Sequence, residues 1–243
     1  VTNLARRLFG VLDCFEADTP PLSLTEIVAR TGLPMPTAWR YVRELTAWGG
    51  LDRLPDGRYR IGFRLWKLGA LSPVYRDLRE LALPYMQDLY QATHENIQLA
   101  VLDERTALCI EKINNLRSVA TRTRVGGRLP LHATGVGKVL LAHAPPELLA
   151  ALLAAGLPRL TRHTIAQPGR LARALAEVRE QGMAFSRQEM SLGAGSVAAP
   201  VVHPSGEVIA SVSIVAHSTV DLDRLGIAVR TAAAGISRSL AGP

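Results

Sequence analysis

The segment LHATGVGKVLLA, Leu131 to Ala142, combines two glycines, a lysine and an apolar run, the ingredients of a loop that cradles phosphates. Such a loop needs a glycine about five residues before the Gly-Lys pair, so that successive backbone N–H groups wrap the phosphates, and Ser or Thr after the lysine to hold magnesium. His132 and Val139 occupy those positions, so the nucleotide motif fails twice. What remains is a helix start near Val136 whose free N–H groups and positive end suit an anion, with Gly135 and Gly137 allowing close backbone approach. Lys138 in the first turn is disfavoured by the helix dipole unless an anion or a carboxylate lies beside it. The same residues also serve a helix start that packs on a sheet with no ligand at all.

The second chemically suggestive set is arginine-rich. Within Ser23 to Gly62, Ser23 and Glu26 form a capping box that starts a short helix with Leu24, Ile27 and Val28 turned inward, and Thr31-Gly32-Leu33 ends it. A second helix starts at about Pro36, with Ala38, Val42 and Leu45 on one face. Arg40 and Arg43 lie nearly opposite, with Thr37 and Trp39 on the flanks. Asp56-Gly57 marks a tight turn between short strands in which Arg58 and Arg60 alternate with Tyr59 and Ile61. Helix, turn, helix and basic hairpin in this order predict a winged helix-turn-helix, with the second helix in a major groove and the hairpin on a neighbouring phosphate or minor groove. Trp39 is open between a DNA contact and packing at a helix junction.

Other chemistry finds little footing. Ser196 follows Gly195 but lacks the frame of a nucleophile elbow, and no histidine and acid are spaced to serve it. Cys14 and Cys109 lie far apart and read as buried thiols, and the six histidines show no metal-binding spacing, so neither a metal nor a cofactor is expected. A formal charge of +7 suits a polyanionic partner without requiring one. No apolar run reaches the roughly 18 residues of a membrane helix, and acids in the first sixteen residues disfavour a signal peptide, so the expectation is a soluble, cytoplasmic protein that is not an enzyme.

A helix from about Phe63 breaks at Pro73, and a longer one ends near Thr93. Leu65, Leu68 and Leu71 form an apolar stripe too large to leave wet on a lone connector, which predicts a subunit contact. Beyond it NIQLAVLDERTALCIEKI reads as two strands about Glu104-Arg105, VATRTRV alternates as a strand, and SVAAPVVHPSGEVIASVSIVAH reads as a hairpin about Pro204-Ser205-Gly206. Helices are expected at about 134–142, 146–154, 171–181 and 221–240. The class is α+β with a largely antiparallel sheet.

In SLTEIVARTGLP, DGRYRIGFRLWKLG, GGRLPLHATGVGKVLLAHAP and EMSLGAGSVAAPVVHPSGEVIASVSIV, taken in this order, the chain resembles the IclR-type bacterial transcriptional regulators over essentially its whole length. The resemblance implies a winged helix-turn-helix over 1–62, a linker helix over 63–77 and a GAF-like effector-binding and oligomerisation domain over 78–243. It further implies a homodimer or dimer of dimers on a palindromic DNA operator, responding to a small organic acid. Matching positions carry the acid onto the backbone N–H groups of Gly135 and Val136 and the side chains of Ser186, Ser196 and Ser213, with Thr121 and Leu129 at the apolar end. Ser186 stands where an acid-binding relative has aspartate, and Val215 where it has a second hydroxyl. That difference favours a larger or partly aromatic acid over a two-carbon oxoacid. Arg122 and Arg124 alternate with Thr121 and Thr123, so one of the two pairs faces inward.

Overall fold

The structure, a computed structural model, describes residues 3–16, 20–115, 117–121 and 123–242. The chain divides into two compact units, one up to Arg76 and one from Asp77 onward.

The first unit holds helices α1 (Asn3–Leu12), α2 (Leu24–Thr31) and α3 (Met35–Trp48), strands β1 (Leu51–Arg53) and β2 (Tyr59–Ile61), and helix α4 (Phe63–Gly69). Ser23 caps α2 by accepting from the Glu26 N–H, while the Glu26 carboxylate accepts from the Ser23 N–H at 2.7 Å. Gly32, at φ 66°, ends α2 in the left-handed region that only glycine enters freely. Ala38, Tyr41, Val42 and Leu45 of α3 pack with Val11, Leu22, Ile27, Leu51 and Tyr59 into one small core. Gly57, at φ 82°, turns β1 into antiparallel β2, and Leu22 exchanges two backbone bonds with Tyr59 on the open side of that hairpin. Helix α1 is the element without a sequence expectation. It is short, and its stripe of Leu8, Val11 and Leu12 becomes recognisable as a core face once α2 and α3 lie beside it. No residue of α4 is buried, and Phe63, Trp66, Leu68 and Leu71 expose most or about half of their surface.

Helix α5 (Pro73–Thr93) leads into a six-stranded antiparallel sheet in the order β5-β4-β3-β8-β7-β6, with β3 (Asn96–Asp103), β4 (Thr106–Ile113), β5 (Arg128–Pro130), β6 (Ala184–Arg187), β7 (Ala194–Val202) and β8 (Val208–His217). Helices α6 (Gly135–His143), α7 (Pro146–Ala155), α8 (Pro168–Gln181) and α9 (Leu222–Leu240) complete this unit. Strand alternation sorts its side chains. Ile97 and Leu99 of β3, Val197 and Ala199 of β7, and Val212 and Ile214 of β8 join a core with α5 and α9. Ala100, Ala198 and Ala184 turn the other way, into a core with α6, α7 and α8. The hairpin at Pro204-Ser205-Gly206 is present, closed by the Gly206 N–H to His203 O bond at 2.8 Å.

The expected strand in VATRTRV is absent among its described residues, and Arg122 lies outside them. The backbone there is held by side chains instead of by a neighbouring strand. The Asn96 carboxamide donates to Val119 O at 2.9 Å, and Lys112 Nζ donates to Thr123 O. Sheet pairing resumes with the short β5, and β6 is the other strand too short to announce itself by periodicity.

Candidate ligand cavity and nucleic-acid interface

In the first unit, α3 presents Trp39, Arg40 and Arg43 to solvent, with Thr37 half-buried beside them, and Arg58 is exposed at the hairpin turn. Trp39 is 50% exposed and lies under the Arg43 guanidinium, 4.8 Å from its ring centroid, instead of filling a helix junction. Arg43 pairs with Glu44 at 3.3 Å and Arg58 with Asp56 at 3.7 Å, both exposed. Pairs of this kind contribute about 0–1 kcal/mol, so either arginine can exchange its carboxylate for a phosphate at little cost.

In the second unit a cavity of about 360 Å³ is lined by Thr121, Leu129, Gly135, Val136, Ser186, Ser196 and Ser213, so all seven residues named from the sequence surround one space. Thr123 lines it as well, and Arg124 is exposed, which leaves the threonines as the inward pair. Across the sheet Ser186 pairs with Ser196, and Ser196 with Val215. Ser213, two residues earlier on β8, pairs with Gln98 of β3 on the same face. Gln98 also lines the cavity and, like Leu160, Met190 and Ser191, is a lining residue that sequence reasoning missed. Its signal was a buried polar residue in the otherwise apolar run NIQLAV.

Helix α6 aims its start at this cavity. The Thr134 side chain caps it by accepting from the Gly137 N–H at 3.1 Å, and the Gly135 N–H donates to Ser196 Oγ at 3.2 Å. No acceptor among the described residues takes the Val136 N–H. Ser186 donates to Ala133 O at 2.8 Å, while the buried Ser213 hydroxyl has no partner among the described residues. The two glycines serve packing in the same stroke. A Cβ on Gly137 would lie 2.6 Å from both Leu131 Cα and Pro130 O, and one on Gly135 3.0 Å from Ser196 Oγ. An unspent N–H at the positive end of a helix, lining the same cavity as an unspent hydroxyl, is an arrangement that accepts a carboxylate.

Lys138, in the first turn of α6, is buried, and its Nζ donates to Glu189 Oε1 at 2.5 Å and to Phe185 O at 2.9 Å. This carboxylate answers the objection that the helix dipole raises against a lysine here. Burial pulls the lysine pKa below its usual range, and the Glu189 charge opposes that pull. Glu189 sits in the β6–β7 connection, whose Met190 and Ser191 line the cavity. Thr161 and Thr164 hold the same connection by donating to Gln188 O and Glu189 O at 2.7 and 2.6 Å. Elsewhere, burial pushes the Cys109 thiol up to about 11, which leaves it protonated and a poor nucleophile at neutral pH. Because both charges of the ion pair are buried, Lys138→Met should cost about 3–5 kcal/mol by stranding Glu189. The double variant Lys138→Met, Glu189→Leu should recover most of that loss, as read from urea unfolding of the parent, single and double variants.

The description "IclR helix-turn-helix domain" matches residues 4–55, and "Bacterial transcriptional regulator IclR C-terminal" matches residues 73–238. The HTH-type transcriptional regulator XynR of Escherichia coli is 33% identical over 216 residues, covering 88% of this chain and 86% of that protein. The transcriptional repressor IclR of the same organism is 29% identical over 218 residues, covering 88% and 79%. Among solved structures, an IclR homologue from Microbacterium hydrocarbonoxydans in complex with 4-hydroxybenzoate is 34% identical, covers 99% of this chain and 100% of that one, and superposes with a TM-score of 0.92. With both halves matched in order and relatives of this identity spanning most of its length, the chain belongs to the IclR family of bacterial transcriptional regulators.

Proposed function

We propose that this regulator binds a palindromic operator as a homodimer or dimer of dimers, and that an aromatic carboxylic acid in the cavity shifts its operator affinity. Residues 1–62 form the DNA-binding part, 63–77 the linker helix and 78–243 the effector-binding and oligomerisation part. Thr37, Trp39, Arg40 and Arg43 meet the major groove, and Arg58 a phosphate. The acid's carboxylate takes the Val136 N–H, with Ser196 and Ser213 beside it. On this reading the protein works in the cytoplasm and catalyses no reaction.

The observation that carries the ligand half is that the Val136 N–H, left without an acceptor among the described residues, and the unpartnered Ser213 hydroxyl line the same space of about 360 Å³. The homologue that binds 4-hydroxybenzoate supports an aromatic acid, as do Ser186 and Val215, which leave the site without a carboxylate of its own. A ligand can move the operator equilibrium only through its difference in affinity for the two arrangements of the DNA-binding parts.

Three expected outcomes test this reading. Val136→Asp places a like charge at the carboxylate position and should abolish thermal stabilisation by the cognate acid while operator binding persists; equal stabilisation of parent and variant removes the anion site. Arg40→Ala should cost about 1–3 kcal/mol and relax preference at one base pair, whereas Arg58→Ala should weaken binding uniformly and reduce its salt slope. Unchanged affinity of the folded double variant in a mobility-shift titration defeats that assignment. Leu65, Leu68 and Leu71 lie at a subunit contact, so sedimentation should show no stable monomer at micromolar concentration, and Leu68→Asp should weaken operator binding through lost half-site spacing.

A further inference from the structure

The cavity has polar groups at two separate places, and a carboxylate at the start of α6 accounts for one of them. The other lies around Gln98 on β3, one strand from Ser213 and two from Ser196. Gln98 is 3% exposed and lines the cavity, yet its carboxamide makes no hydrogen bond to any of the described residues. Opening onto the cavity, the amide keeps its donors and its acceptor for whatever occupies that space. Beside it on the same sheet face, Lys112 is its register partner across β3 and β4. The Lys112 ammonium donates to Thr121 Oγ1 at 2.5 Å, and Thr121 lines the cavity. An ammonium has donors only, so the Thr121 oxygen is the acceptor in that bond and the hydroxyl proton is left for another partner. No acceptor among the described residues takes it. The end of the cavity that the family resemblance implied was apolar therefore offers an O–H donor from Thr121 and an amide from Gln98 able to donate or accept.

We propose that Gln98 and Thr121, the latter oriented by Lys112, form a second polar subsite that recognises a hydroxyl on the ring of the aromatic acid, para to its carboxylate. This rests on the reading of the cavity as an aromatic-acid site. A phenolic hydroxyl carries one donor and acceptor lone pairs, which matches acceptance from the Thr121 O–H and donation to the Gln98 carbonyl oxygen. Spacing agrees with the chemistry. Ser196 on β7 and Gln98 on β3 are separated by β8 and offset by two residues along the strands, so two strand spacings combine with two residues of rise to about 12 Å. A single ring with para substituents and a hydrogen bond of about 2.8 Å at each end spans that separation, and a two-carbon acid does not. Val215, on the strand between them, supplies apolar lining between the ends. Selectivity follows from the unsatisfied groups themselves, because a ring without the hydroxyl leaves both stranded.

Calorimetric titration of the full chain with 4-hydroxybenzoate and with benzoate tests the subsite. The parent should bind the hydroxylated acid at least about tenfold more tightly. Gln98→Leu should lower affinity for 4-hydroxybenzoate about tenfold and change that for benzoate less than about twofold. Thr121→Val should behave likewise, with Thr121→Ser restoring the parent's selectivity, and unchanged melting of the unliganded variants shows that the fold is kept. Equal affinity of the parent for the two acids, or a loss that falls equally on both acids in Gln98→Leu, overturns the subsite and leaves the aromatic-acid reading standing. Binding of neither acid by the parent overturns that reading and the subsite with it.

Discussion

Lys138 and Glu189 meet inside the second unit with their side chains only 3% and 8% exposed, and the geometry of the cavity depends on that meeting. The lysine belongs to the first turn of α6, where the helix dipole opposes a positive charge and burial opposes it further. The glutamate comes from a connection in which Gln188 holds φ 60°, a left-handed conformation that a non-glycine residue adopts at some cost. Each misfit compensates the other. The carboxylate makes the lysine tolerable, and the ammonium fixes the connection where Met190 and Ser191 can wall the cavity. Glu189 Oε2 remains without a partner among the described residues, so the pair favours a particular arrangement more than it adds stability.

The arginine surface of the first unit follows the opposite logic. Its charges are exposed and weakly paired, and the core behind them is small, built from α1, α2, α3 and the hairpin. The Arg43 guanidinium resting on Trp39 keeps that side chain extended along the exposed face of α3 without burying it. Long cationic side chains lose conformational freedom when they bind phosphate, and partial ordering beforehand lowers that loss.

Much of this was legible in the sequence, and the illegible part has identifiable causes. The capping box at Ser23, the turn glycines and the β-branched, apolar runs of β3, β7 and β8 bounded by turn residues are local signals, and local signals survive without tertiary information. The seven residues around the cavity came from resemblance, since no spacing in the chain brings Thr121, Ser186 and Ser213 together. Lys138 showed that it needed a partner but not which acid; Glu189 lies 51 residues away. VATRTRV misled because alternation is also what a segment shows when threonines face a cavity and arginine faces water, without any strand pairing. Helix α1 and strands β5 and β6 were missed because elements of 10, 3 and 4 residues carry too few turns or repeats to stand out.

Strand β8 shows what the alternation makes possible over longer times. Val212, Ile214 and Ala216 are committed to the core under α9, while Ser213 and Val215, interleaved with them, face the cavity. Cavity lining and stability are thus written in the same ten residues but in separate registers, one residue apart. A lineage can exchange the cavity-facing set for other side chains, and so answer to a different metabolite, while the hydrophobic set that keeps the sheet folded is inherited untouched.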